Sequence, residues 1–245
     1  MLSKIFLCSV FSLLISIFSF AQPKEFSYKN DLYVRQLSKN CFLHVSVTNS
    51  PQFGKFWSNG VIFINNGKAA LFDTPSDTIL TKQLINIIED SLKCKVVMFA
   101  PNHWHEDCIG GLSIINKMGV KSYSSRITKE ISSKHELPTA TFDFRDSLEL
   151  KLDDKSVKLF YFGPAHTLDN IVVYIPSENV LFPGCMIKEL RSATLGNTAD
   201  GDKVEYPKTI KKVKERFPNI TVVVPGHGAP GGVELLQHTY EIASK

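Results

Sequence analysis

Apolar positions along the chain switch repeatedly between a two-residue and a helical period. Val61–Ile64 and Ala69–Asp73 are short runs on either side of Asn66-Gly67, which predicts two strands joined by a tight turn. Beyond Asp77, residues Leu80, Leu84, Ile87 and Ile88 fall on one face at helical spacing, with Asp77 placed to cap the helix. Lys95–Ala100 reads as a buried strand and Gly110–Met118 as a helix ended by Gly119. The second half repeats the order. Leu148–Leu152 and Val157–Phe162 form a hairpin around Asp153-Asp154-Lys155, and Ile171–Ile175 and Val180–Phe182 form another around Pro176-Ser177-Glu178. A helix over Tyr206–Phe217, a strand over Thr221–Val224 and a helix over Val233–Ser244 complete the chain. Each half therefore holds strands followed by flanking helices, without a sequence repeat. Two sheets packed face to face with helices outside satisfy that order, a four-layer α/β (α+β) architecture.

The first 21 residues stand apart. Lys4 is their only charge, an apolar run from Ile5 to Phe20 follows, and Ser19-Phe20-Ala21 reads as a small-x-small cleavage site before Gln22. This is the pattern of a secretory signal peptide, which predicts export to the periplasm and one mature domain over residues 22–245. The run is short for a stable membrane span and no basic patch follows it. Leu7 stands before Cys8 where a lipoprotein would have a small residue. Losing Lys4 leaves 27 basic against 24 acidic groups, a net charge of +3 in place of +4. That is too weak to imply nucleic acid, and the one basic run, KTIKKVKER, fits the solvated face of a helix. Of the five cysteines, Cys41, Cys94, Cys108 and Cys185 remain, in no disulfide-framework spacing. Whether Cys41 and Cys94 pair stays open.

The chemistry concentrates at strand ends. In NHWHED the groups His103, His105 and Asp107 stand at alternate positions, so an extended backbone would aim all three at one region. Two imidazoles and a carboxylate converging there suit a divalent metal such as zinc. Gly110-Gly111 then lets the chain turn closely into the next helix. Histidine-x-histidine alone recurs by chance, but with the aspartate and the glycine pair at a strand-to-helix junction it is much more specific. Three later loops share the design: Gly-Pro-Ala-His166, Pro-Gly-Cys185 and Pro-Gly-His227-Gly. Six ligands divide into two metal sites that can both keep an open position, whereas one closed structural zinc would leave two ligands idle. His44, His135 and His238 lack such a setting and read as ordinary surface or strand residues.

The motifs HWHEDCIGG, GPAHTLDNIVVY, GCMIK, LGN and VVPGHG resemble those of the metallo-β-lactamases, subclass B1, in order and spacing from about residue 60 to 230. The resemblance implies an αββα sandwich with two zinc ions per chain. It implies zinc-dependent hydrolysis of the β-lactam ring of penicillins, cephalosporins and carbapenems by a metal-bound hydroxide, and hence antibiotic resistance. On that resemblance His103, His105 and His166 hold the first zinc, and Asp107, Cys185 and His227 the second. Asp107 also orients the hydroxide, Lys188 matches a lysine that binds the substrate carboxylate, and Asn197 matches an asparagine near the lactam carbonyl. Asp73 matches a buried acid supporting the site. Trp57 belongs to the stretch Asn49–Trp57, which matches a mobile loop that folds over substrate.

Related hydrolases of lactones, thioesters and nucleic acids typically place a histidine after the motif aspartate and a bridging aspartate at the cysteine position. This chain has Cys108 and Cys185 there. His103 replaces the asparagine of the single-zinc B2 subclass. Cys108 is expected to point away from the metals, and Pro164 to stiffen the loop before His166. A lactone or thioester hydrolase and a non-catalytic periplasmic zinc-binding protein remain as rivals, which Cys185 and the Lys188–Asn197 pair respectively disfavour. The expected partner is a small-molecule β-lactam, with no nucleic acid, no membrane after signal removal, and a monomeric state.

Overall fold

A computed structural model describes residues 24–245, so the signal segment expected over residues 1–21, with Cys8, lies outside the described residues. The first sheet has eight strands in sequence order: β1 (Glu25–Tyr28), β2 (Leu32–Gln36), β3 (Cys41–Ser50), β4 (Gly54–Asn65), β5 (Lys68–Phe72), β6 (Lys95–Ala100), β7 (Lys121–Ser125) and β8 (Phe142–Phe144). Hairpin connections make β1 to β5 antiparallel, and helical crossovers make β5 to β8 parallel. The second sheet has the order β13-β12-β11-β10-β9, built from β9 (Ser147–Leu152), β10 (Lys155–Phe160), β11 (Val172–Ile175), β12 (Val180–Gly184) and β13 (Val222–Pro225). Only its β12–β13 pair is parallel.

The two-residue period sorts side chains between layers. Leu43, Val61, Phe63, Phe72, Val173 and Phe182 are among those filling the space between the sheets. Their neighbours Ile62 and Leu71 face outward onto helices α1 (Thr78–Asn86), α2 (Glu106–Ile109) and α3 (Leu112–Lys117). On the far side Val172, Leu181 and Val223 pack under α5 (Tyr206–Arg216) and α6 (Glu234–Ala243). Strands buried on both faces need these helices to cover them, and the expected αββα sandwich results. Helix α4 (Arg126–Lys134) follows β7 and is capped by the Ser125 hydroxyl, which accepts from Thr128 N.

Asp77 caps α1 as expected, accepting from the Ile79 and Leu80 amides, and a π-helical turn over Ile87–Ser91 extends it. The helix expected over Gly110–Met118 is α3, and the short α2, which the sequence pattern does not predict, precedes it, with Gly110-Gly111 between the two. Neither glycine has a positive φ. What they supply is room: a Cβ at Gly110 would strike the Ser76 carbonyl and one at Gly111 the Thr81 side chain. All four described cysteines are free and buried. Cys41 lies in the core between the sheets and Cys94 in the core beneath α1 and α3, so the fold keeps them apart.

Candidate metal centre

The six candidate ligands gather at one end of the sandwich. His103 and His105 follow β6, Cys185 follows β12 and His227 follows β13, all at carboxyl ends of strands. His166 lies in the connection between β10 and β11, at the same end because β11 runs antiparallel to β12. Asn102 ties the two sheets together here. Its amide N–H donates to Asp73 Oδ1 at 2.5 Å, and its carbonyl accepts from Ile171 N at 2.8 Å. Asp73 is held at φ 60°, a left-handed conformation that a non-glycine residue adopts only under local constraint.

The alternation expected through Asp107 ends at His105. His105 is extended (φ −67°, ψ 158°) and is the first residue before α2, so Asp107 reaches the cluster from the opening turn of a helix. The helical turn also rotates Cys108 inward. Cys108, expected to point away from the metals, is fully buried with Sγ 3.2 Å from His103 Nδ1.

Ring centroids of His103, His105 and His166 lie 4.6 to 5.2 Å apart. The ligand atoms of His103, His166 and Cys185 lie within 4.8 Å of one another, as do those of Asp107, Cys185 and His227. Cys185 Sγ is 3.3 Å from His227 Nε2 and 3.8 Å from Asp107 Oδ2. His105 stands beside these groups and its Nε2 meets Asp200 Oδ2 at 3.0 Å, which leaves Nδ1 as its ligand atom. His227 Nδ1 donates to the Trp57 carbonyl at 2.8 Å, which turns the lone pair of Nε2 toward Cys185. His103 Nε2 and His166 Nδ1 are buried with no hydrogen-bond partner. Buried lone pairs without partners are destabilising, and histidines, a thiol and a carboxylate this close fit a zinc-type ion.

Burial pushes the pKa of His103 and of His166 well below the usual imidazole value, and neighbouring cations add to this. Both rings are therefore neutral and able to ligate at neutral pH. Burial likewise pushes the Cys185 thiol well up, with Asp107 adding repulsion. Without a cation it stays protonated, so metal uptake must release that proton.

Lys188 is half-buried. Its ammonium donates to the Cys185 carbonyl at 2.8 Å, and desolvation lowers its pKa. Asn197 is exposed, and its Oδ1 accepts from Ala199 N at 3.1 Å. The stretch Asn49–Trp57, expected as a loop, is the tip of the β3–β4 hairpin, because both strands run on to Ser50 and Gly54. Phe53 and Trp57 are exposed there, and Phe56 meets the His227 ring edge-on at 5.4 Å.

Sequence reading missed four supporting groups. Ser58 donates to Asp107 Oδ2 at 3.3 Å, Asp200 holds His105, and Glu189 Oε2 accepts from Ala229 N at 3.0 Å. Asn59 is buried, and its amide donates to the carbonyls of Pro225 and Gly228, both at 2.8 Å, on either side of His227. Only Ser58-Asn59-Gly60, polar residues entering an apolar strand run, marked any of these in the sequence. Asn59→Ala strips two carbonyls of their donor. It should cost about 1–3 kcal/mol in urea unfolding and weaken zinc binding roughly 10- to 100-fold. Unchanged values in both measurements would remove Asn59 from the support of His227.

The model of the Metallo-beta-lactamase superfamily matches residues 58–227. The chain belongs to this family. It is 43% identical over 239 residues to the metallo-beta-lactamase type 2 of Bacteroides fragilis, covering 97% of this chain and 96% of that one. It is 30% identical to metallo-beta-lactamase IND-1 of Chryseobacterium indologenes over 96% of each. A solved metallo-beta-lactamase from Pontibacter korlensis superposes with a TM-score of 0.84 at 32% identity, covering 88% of this chain and all of that one. The resemblance to subclass B1 stands, and with it the expectation of an enzyme that opens β-lactam rings. Family membership implies a divalent metal, typically zinc.

Proposed function

We propose that this chain is a periplasmic, monomeric carbapenemase of broad range, hydrolysing penicillins, cephalosporins and carbapenems with two zinc ions. The observation that carries the reading is the convergence of two donor groups on Cys185 beside the half-buried ammonium of Lys188. His103, His105 and His166 would hold one zinc, and Asp107, Cys185 and His227 the other. Bound zinc supplies Lewis acidity and makes water acidic enough to attack at neutral pH.

The chain's own residues do the rest. Lys188 binds the substrate carboxylate, and desolvation strengthens that ion pair. Asn197, with Oδ1 occupied by Ala199 N, presents Nδ2 as a donor to the lactam carbonyl, where negative charge develops. Asp107, oriented by Ser58, accepts a hydrogen bond from the attacking water. Trp57 and Phe53 at the hairpin tip offer apolar cover that excludes bulk water. Residues 22–245 form the mature domain once residues 1–21 are removed; no described helix is long and apolar enough to cross a membrane.

The test is carbapenem hydrolysis by the purified mature chain before chelation, after it, and with zinc restored. Metal per chain and molecular mass in solution are measured alongside. Turnover lost to the chelator and regained with two zinc ions per monomer is expected. A fully zinc-loaded chain that opens none of the three β-lactam classes would overturn the reading, and lactones and thioesters become the next substrates.

A further inference from the structure

Cys108 belongs to the site, yet neither proposed ligand set uses it. It is 1% exposed and belongs to the apolar cluster beneath the first sheet, yet two polar groups reach its sulfur. On one side is His103 Nδ1 at 3.2 Å; on the other the Asp73 carboxyl faces the thiol. Asp73 is itself buried and fixed by the Asn102 amide, one residue before His103. Across the imidazole ring, His103 Nε2 is buried without a hydrogen-bond partner.

A neutral imidazole has one N–H and one lone pair, on opposite nitrogens. A lone pair at Nε2 requires the proton at Nδ1, and that N–H needs an acceptor. The Cys108 sulfur is positioned to be it. The thiol's own single proton must then point elsewhere, and the Asp73 carboxyl, with an oxygen able to accept it, lies on that side. The opposite polarity, S–H donating to Nδ1, would put the ring proton on Nε2 and abolish its ligand function.

We infer that Cys108 is a positioning residue which, backed by Asp73, fixes His103 as the Nδ1–H tautomer and so presents Nε2 to a metal. The inference rests on the reading of His103 as a metal ligand. Histidine ligands commonly donate their second N–H to an oxygen acceptor that fixes the ring; here a thiol takes that seat. Serine can accept and donate in the same two directions. Valine fills comparable space and can do neither, so it separates the hydrogen bonds from simple packing.

The experiment uses the mature full chain with Cys108→Ser and Cys108→Val. The first readout is the tautomer of the His103 ring in metal-free protein, from nitrogen-15 ring spectra assigned with a His103 variant. The second is zinc affinity by competition with a chromophoric chelator. Wild type and C108S should show the Nδ1–H ring. C108V should lose that preference and bind its tighter zinc roughly 10- to 100-fold more weakly. A C108V chain that keeps both the Nδ1–H ring and wild-type affinity overturns the inference. The ring spectrum decides the matter whether or not the wild type hydrolyses β-lactams, so failure of the proposed function and failure of this inference are separately visible.

Discussion

Cys185→Ser is expected to lower β-lactam turnover by more than roughly 100-fold and to remove about one zinc ion per chain. Loss of an outer partner of a metal ligand already costs about 10- to 100-fold, and Cys185 is closer than that. Its sulfur is within 4.8 Å of the ligand atoms in both donor groups, so it stands at the junction of the site. A thiolate suits zinc; a serine hydroxyl is a far weaker acid that zinc does not deprotonate as readily. The substitution is nearly isosteric, and Gly226, whose missing Cβ would collide with Cys185 Sγ, still accommodates it. Unfolding should therefore change little in metal-free protein while zinc content and kcat/KM fall together. A C185S chain with two zinc ions and ordinary turnover would refute the assignment of Cys185.

How far the sequence led depended on the range of each signal. Strands such as β6 and the hairpins β9–β10 and β11–β12 were legible to within a residue or two, because β6, β11 and β12 are apolar runs, β9 alternates leucine with polar residues, and turn residues bound them. The αββα layering followed from element order alone. The ligand types were legible because each sits in a glycine- or proline-marked loop at a strand end. The direction of Asp107 and Cys108 was not. Whether four residues after His105 continue extended or wind into a helix depends on packing of Cys108 and Ile109 beneath the first sheet, a tertiary effect no local spacing records. Asp200 and Asn59 were invisible for a related reason. They reach their partners across 95 and 166 residues of chain, through hydrogen bonds that leave no period in the sequence. The edge strand β1 and helix α4, short or largely polar, carry too weak an apolar pattern to be read unaided.

His44 reads in the sequence as an ordinary strand residue, and the fold places it in β3; its burial has a measurable consequence. The ring is 1% exposed, its Nε2 donates to the Phe72 carbonyl at 3.2 Å, and Nδ1 is buried without a partner. It faces Gly60 across the β3–β4 ladder, where a Cβ would collide with the imidazole. Desolvation pushes its pKa down from 6.5 to about 4. The unfolded chain thus takes up a proton at this position as pH falls below about 6.5, while the folded chain refuses it until about 4. The unfolded state binds more protons across that window, so stability is fully present above it and drains away on acidification, by about 3 kcal/mol for this one group. The fold holds other ionisable groups, so wild type must be compared with His44→Gln, whose amide can still donate to Phe72 but carries no proton to gain. Urea unfolding of both chains at pH 7, 5.5 and 4.5, with and without zinc, measures the difference. H44Q should be the less stable at pH 7 yet lose less on acidification, its slope against pH shallower by close to one proton. Parallel slopes would mean that the acid sensitivity of the fold arises elsewhere than at His44.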